Sequence, residues 1–515
     1  MTVDQEKTRP AIATMPLLCR IRGLAVMSAA AVLAGGPAHA QDFFDSYAQA
    51  QPVIARAVDA FGGAERIEGI RQVHLRTEGP VHLRYQSRRL GPPFDTNEGW
   101  TEIALDRDSG SLAVETGGPI FVNRQVVTAD GAWGMDLVRQ TWSEPANPPD
   151  PGTHFVHRVI PALLVQKLYQ RAASVRHAGT STVAGRPQDV LSVAWDNGTV
   201  YGVHVDRGSG LISRYDILAP DPVVGDVVYE SYFEDYRPVD GVPFPYRRWQ
   251  QVDGEKTYEA RTVAVSINSD VSGFMALPEG FTEIPAAAPP ATTLRELADG
   301  VYLGNGNYQN LYVDTGEYLV SVDAGGGTGQ IRGELKQLAE LTGGKPLRYA
   351  VITHHHSDHT AGIDALAAAG ATIVTTKTHR DYLTGIIKGR RYLSAASQTS
   401  EVDDVAFLFV DDSHTFAGDN EVSIHRVPNG HADDYFVAFV PAARLLYGAD
   451  VFNVPATGPL APSNPQFAEF YANLTRLDLD FETVANSHGR VGSADELAQR
   501  AATDATRTAT ASGDP

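Results

Sequence analysis

Residues 354–359 read His-His-His-Ser-Asp-His, four metal-capable side chains in the pattern H-x-H-x-D-H. The apolar run Tyr349-Ala350-Val351-Ile352-Thr353 stands directly before them and predicts a buried strand. Side chains alternate along extended backbone, so His354 and His356 share one side and can grip one metal, while His355 points away. Asp358 and His359 fall just past the strand, where the chain turns toward a helix, within reach of a second metal. Imidazole with carboxylate suits Zn²⁺ and its neighbours, whereas Ca²⁺ and Mg²⁺ want mostly oxygen. A histidine-rich surface run without metal is the plain alternative. The sequence holds one cysteine, Cys19, so any metal is expected on His, Asp or Glu.

Those residues need a scaffold, and the surrounding pattern supplies one. Leu319–Val322 is a short apolar strand running into Asp323 and the glycines Gly325–Gly327. A helix is expected over roughly 330–341, another over 361–369, and a strand at Thr372-Ile373-Val374. Strands alternating with helices predict an α/β domain with helices covering sheets. Ahead of it, Ile284–Thr293 is Pro/Ala-rich and reads as a boundary. Residues 41–284 have another texture. Val53, Ile54, Ala57, Val58 and Phe61 fall at helical spacing before Gly62-Gly63, and a second helical stretch covers about 160–173. Most of the rest is short alternating segments, such as Val73–Arg76, Trp100–Leu105 and Thr199–Val205, split by turns at Asp106–Gly110, Asp196–Gly198 and Asp206–Gly210. This predicts a mostly antiparallel β-domain with a few helices. The expected division is 1–40 signal, 41–284 β-domain, 285–293 linker, 294–505 α/β domain and 506–515 tail.

The first forty residues have the organisation of a secretion signal: Arg20 and Arg22, the apolar Gly23–Gly35, and Ala38-His39-Ala40 before Gln41. Cleavage is expected after Ala40, with translation starting at Met1 or Met15, which places the mature chain in the periplasm or outside the cell. The apolar stretch is too short to span a bilayer, so no transmembrane anchor is expected. Cys19 leaves with the signal. The formal charge of −20 becomes about −22 once residues 1–40 are removed, and argues against nucleic acid as a partner.

Val351–Gly362 (VITHHHSDHTAG) resembles the first metal motif of the metallo-β-lactamase-fold hydrolases, and the likeness extends over about 296–500. The resemblance implies an αββα sandwich and further ligands in a fixed order. His431, within Asn429-Gly430-His431, matches the third ligand of the site holding His354 and His356. Asp450, ending Leu445–Asp450, matches the aspartate that bridges both metals. His488, within Ala485–Gly489, matches the histidine that completes the site of Asp358 and His359. Asp323 matches an early aspartate that holds a ligand histidine in its working tautomer. The implied cofactor is two Zn²⁺, with Fe or Mn also suited to these ligands. The implied chemistry is hydrolysis by a hydroxide shared between the metals, with Asp358 orienting it and passing on the proton.

The expected function is thus an exported hydrolase of a small-molecule ester, lactone, thioester or amide. A phosphodiester or β-lactam hydrolase is the alternative within enzymes. A second resemblance, in Phe233–Arg237, Asp240–Pro245 and Val265–Asn268, is to periplasmic lipoprotein-carrier domains and implies an apolar binding surface. It supports an alternative of another class, a periplasmic carrier with a structural metal. Two loops stand out near the expected site. Lys388-Gly389-Arg390-Arg391-Tyr392 is a basic knot, either a solvated turn or a receptor for a carboxylate. Val454–Pro465 is proline-rich, either a stiff pocket wall or a plain surface loop.

Overall fold

The computed structural model describes residues 39–511 apart from 120, 146–147, 149–154, 196–197, 286–291, 307, 394–401 and 403. The body of the expected signal with Cys19, most of the expected linker, Asp196-Asn197 of one expected turn and the last four residues lie outside the described residues.

Helix α1 (His39–Ala60) presents Val53, Ile54, Ala57 and Val58 on one buried face. Gly62 and Gly63 end it with φ of 97° and 91°, a conformation that costs glycine little. After α2 (Ala64–Glu68) come β1 (Gln72–His82), β2 (Thr96–Asp106), β3 (Ser111–Gly117), β4 (Val122–Thr128), β5 (Gly131–Asp136) and β6 (Thr141–Ser143). Two helices, α3 (Phe155–Val159) and α4 (Pro161–Gln170), interrupt the strands. Then follow β7 (Arg176–Val183), β8 (Arg186–Ala194), β9 (Val200–Asp206), β10 (Ile212–Asp221), β11 (Gly225–Val239), β12 (Val242–Val252) and β13 (Glu255–Ile267). A short α5 (Ser272–Met275) and β14 (Thr282–Glu283) close the region.

These strands form one 14-stranded sheet in the order β14-β6-β5-β4-β3-β2-β1-β13-β12-β11-β10-β9-β8-β7, antiparallel except for β14 against β6. Asp240-Gly241 and Asp253-Gly254 supply two of its tight turns, all four residues at positive φ, as two-residue hairpins require. Helix α4 is apolar nearly all round, and Pro161–Gln166 and Leu168 are buried with α1, α2 and the sheet in one core. The helix expected at about 160–173 is α4, which ends three residues sooner, and the short α3 before it is separate because Pro161 opens a new helix rather than continuing one.

The second domain holds two sheets. One runs β15 (Leu294–Ala298), β16 (Val301–Gly304), β17 (Leu311–Asp314), β18 (Leu319–Val322), β19 (Leu347–Val351), β20 (Thr372–Thr375) and β21 (Phe407–Phe409) in spatial order. The other runs β22 (Ser413–Phe416), β23 (Val422–Arg426), β24 (Phe436–Val440), β25 (Leu445–Tyr447), β26 (Thr483–Ala485) and β27 (Gly492–Ser493). Alternation splits β18: Val320 and Val322 join the core between the sheets, and Leu319 packs under the outer helices. Those helices are α6 (Gly327–Thr342), α7 (Ser357–Thr360), α8 (Ile363–Ala368) and α9 (Arg380–Ile387). Helices α10 (Pro465–Leu474) and α11 (Ala494–Ala511) cover the other sheet through Phe467, Phe470, Leu474 and Leu497. The result is an αββα sandwich preceded by an antiparallel β-domain. Among the described residues no helix is long and apolar enough to cross a membrane.

The basic knot docks the two domains. The Asp226 amide donates to the Arg390 carbonyl, and Arg391 Nη2 donates to the Val223 carbonyl at 2.7 Å. Asp226 in turn accepts from the Tyr392 amide at 2.6 Å, and Val223 is buried in the α/β domain's core. A side chain has no room at this contact. A Cβ on Gly225, where φ is 92°, would lie 2.2 Å from the Arg390 carbonyl oxygen, and one on Gly389 would lie 2.4 Å from that of Val224. The knot is therefore anchored by its backbone and by Arg391, while the side chains of Lys388, Arg390 and Tyr392 stay exposed. Gly225→Ala is expected to cost about 1–3 kcal/mol through overpacking and strain, read as a lower urea midpoint, while Gly254→Ala, which meets no atom within 4 Å, isolates the cost of positive φ alone.

Candidate metal centre

Strands β18 and β19 pair in parallel in one sheet, and β25 and β26 in the other, so their carboxyl ends lie on one edge of the sandwich. Asp323 follows β18, residues 354–359 follow β19, Asp450 follows β25 and His488 follows β26. His431 lies in the β23–β24 connection. Strand β19 stops at Val351, two residues before the expected end, because the Thr353 amide leaves the ladder to donate to Asp323 Oδ1 at 2.9 Å.

Two donor clusters result. His354, His356, His431 and Asp450 offer atoms within 4.8 Å of one another, and so do Asp358, His359, Asp450 and His488. Asp450 belongs to both. Its Oδ2 is 3.3 Å from His431 Nε2, and its Oδ1 is 3.2 Å from His359 Nε2 and 3.1 Å from His488 Nε2. His354 and His431 face each other through their Nε2 atoms at 3.2 Å. The structure thus brings together all seven residues that the sequence offers as ligands, with Asp323 behind His359. His355 turns away, buried beside His379 and Tyr382 at 5.6 and 6.2 Å between ring centroids.

The outward atoms of these side chains are engaged, which fixes the inward ones. His359 Nδ1 donates to Asp323 Oδ2 at 2.7 Å, leaving Nε2 for the cluster. His356 Nε2 donates to the Ser87 carbonyl at 3.0 Å, leaving Nδ1. Asp323, at φ 68°, also accepts from Thr353 Oγ1 at 3.1 Å and from the Tyr447 hydroxyl at 3.1 Å. Asp450 is aimed by a bend at Ala449, φ 52°, a strained value for alanine. The buried Tyr435 hydroxyl clamps that bend, donating to the Gly448 carbonyl at 2.7 Å and accepting from the Asp450 amide at 2.7 Å.

Three buried inward atoms have no hydrogen-bond partner: His356 Nδ1, His359 Nε2 and Asp450 Oδ1. Buried polar atoms are rarely left so, and these converge on points where a cation would satisfy them. The donor set, imidazole nitrogen and carboxylate oxygen without thiolate, fits Zn²⁺ or a neighbouring transition metal.

The ionisable groups of the site shift one another. Burial lowers the His354 pKa well below the usual value, and burial with the neighbouring His431 brings His356 to about 3. In the second cluster burial opposes the carboxylates and loses. Asp323, Asp450 and Asp358 hold His359 well above its usual pKa, and Asp358 and Asp450 bring His488 to about 9. Burial would likewise raise Asp450 and Asp358, but His359 holds both below the usual carboxylate value, with His431 and His488 assisting at Asp450 and His488 and Gln86 at Asp358.

Sequence reasoning missed the contribution of the β-domain. The β1–β2 connection reaches the site: Gln86 Nε2 donates to Asp358 Oδ1 at 2.7 Å, and the Tyr85 carbonyl accepts from the Ser357 amide at 3.1 Å. Asp95 holds this segment in shape, accepting from Ser87 Oγ at 3.0 Å and the Arg88 amide at 2.7 Å. No local pattern in residues 85–88 marks them as neighbours of a motif some 270 positions away. The proline-rich stretch does line the site, since Ala461 and Asn464 share a cavity of about 300 Å³ with His431 and Asp450.

Residues 305–503 match the metallo-beta-lactamase superfamily. A hydroxyacylglutathione hydrolase of Rhodobacter capsulatus is 29% identical over 132 residues, 25% of this chain and 43% of that enzyme, so the chain spans less than half of that relative. Among solved structures, a metallo-beta-lactamase from Pontibacter korlensis is 20% identical, covering 41% of this chain and 98% of its own with a TM-score of 0.33. One from Hirschia baltica is 19% identical, covering 41% and 97%, with a TM-score of 0.32.

Two outcomes are expected. Zinc uptake would expel the protons that His359 and His488 hold at neutral pH, so binding should release protons and tighten as pH rises; calorimetry in buffers of different ionisation enthalpy measures both. Gln86→Ala should weaken zinc retention by about 10- to 100-fold, measured by competition with a chromophoric chelator.

Proposed function

We infer that residues 305–503, which match the metallo-beta-lactamase superfamily and carry both donor clusters, form a metal-binding hydrolase domain. We propose that the whole protein is an exported dinuclear metallo-hydrolase acting on a small-molecule ester, lactone, thioester or amide. His354, His356 and His431 would hold one ion, Asp358, His359 and His488 the other, and Asp450 both. The observation that carries this reading is Asp450, whose two oxygens face different donor clusters. A structural zinc needs one closed tetrahedron, not seven ligands around two centres.

Bound there, two divalent ions would bring a water's pKa to about 7 and polarise a carbonyl oxygen. The chain's own residues do the rest. Asp358, held on one oxygen by Gln86, presents an oriented carboxylate that can accept a water proton and deliver it to the leaving group. Asp323 keeps His359 in the tautomer with Nε2 free. An acyl bond is preferred to a phosphodiester because the Rhodobacter relative is named a hydroxyacylglutathione hydrolase. The signal-like residues 1–40 support export.

Elemental analysis of the purified protein should give two transition-metal ions per chain. Turnover on a panel of lactone, thioester, aryl ester, β-lactam and phosphodiester substrates should vanish on chelation and return with zinc. Asp450→Ala should lower kcat by about 10²- to 10³-fold, the scale of a lost transition-state stabiliser. One ion or none, with no turnover anywhere on the panel, would sink this reading in favour of a carrier.

A further inference from the structure

Arg500, on α11, is only 6% exposed. Among the described residues no carboxylate lies within ion-pair distance of its guanidinium. Nη1 donates to the Val451 carbonyl at 3.1 Å, the cation stacks 4.2 Å from the Phe467 ring centroid, and Nε has no partner. A carbonyl and a ring face orient the group without neutralising it. Burial lowers its pKa, and no neighbouring charge offsets that. A buried charge left unpaired is costly, and proteins seldom keep one without use for it.

The position supplies the use. Arg500 lines the same 300 Å³ cavity as His431 and Asp450. Asn464 lines it too, and its Oδ1 already caps α10 by accepting from the Phe467 amide at 2.8 Å. Its amide NH₂ is left as a second donor. A planar cation with five fixed donors matches a carboxylate's paired oxygens. We propose that Arg500 is the counter-ion for a second, non-reacting carboxylate on the substrate, so that the preferred substrates are anionic acyl compounds. This rests on the hydrolase reading and narrows it to a substrate class.

The test compares two 4-nitrophenyl esters of equal chain length, one ending in a carboxylate and one in a methyl group, on the zinc-loaded full-length protein. The matched anilides, anionic and neutral, are measured in parallel by calorimetry as binding probes. Wild type should favour the anionic ester in kcat/KM by about 10- to 100-fold, through KM. Arg500→Met should bring that ratio to about one, and Arg500→Lys, which keeps the charge, should restore part of it. A wild type indifferent to the carboxylate overturns the inference. So does a preference that survives in Arg500→Met, which would assign the carboxylate to the metals. Equal losses on both esters, with the ratio unchanged, would make Arg500 a packing residue and overturn it as well. If neither ester turns over but the anionic anilide binds better and loses that advantage in Arg500→Met, the anion site stands and the hydrolase reading falls.

Discussion

Five imidazoles and two carboxylates converge at one edge of the sandwich, mostly out of water. Groups that titrate in opposite senses tolerate such crowding only when each has a fixed partner. The surrounding structure provides those partners on the outward side: Asp323 for His359, the Ser87 carbonyl for His356, and the Tyr435 clamp behind Asp450. Every outward hydrogen bond settles which inward atom is left over. The inward atoms then agree on two centres, and the strained backbone at Ala449 and the left-handed Asp323 persist because several hydrogen bonds hold them in place.

The β-domain belongs to the same arrangement. A 14-stranded sheet closed over α1 and α4 would be a self-sufficient fold, yet it reaches the other domain in two places. Glycines bring backbones together at Gly225 and Gly389, and the β1–β2 connection delivers Gln86 and Ser87 to the metal ligands. The first contact is steric and the second is chemical. Together they make the edge of the sandwich a floor whose wall comes from elsewhere in the chain.

Much of this was legible in the sequence because its signals are local. The H-x-H-x-D-H run, the apolar strands before Asp323 and His354, and the turn residues Asp106–Gly110 and Asp206–Gly210 each act on their near neighbours, and an α/β domain preceded by a β-domain followed from them, the αββα sandwich itself coming through family likeness. The gathering of His431, Asp450 and His488 was reachable through family likeness, since nothing in their own surroundings distinguishes them from ordinary core or capping residues. What escaped was non-local: Gln86, Ser87 and Arg500 have roles set by residues far away in the chain, and Tyr435 by a bend in the next strand connection. The fit of the Lys388–Tyr392 knot against Gly225 escaped for the same reason.

One consequence follows from the hydrogen bond between His356 and the Ser87 carbonyl. Until that carbonyl arrives, the imidazole has no reason to offer Nδ1 rather than Nε2, and the first cluster lacks a settled donor. The full ligand set therefore exists only after both halves of the chain have folded and met. Metal capture in the first cluster would then come late in the protein's maturation, once Ser87 has met His356. A mutation anywhere that loosens the meeting of the halves would surface first as a mineral deficiency, well before the fold itself gave way.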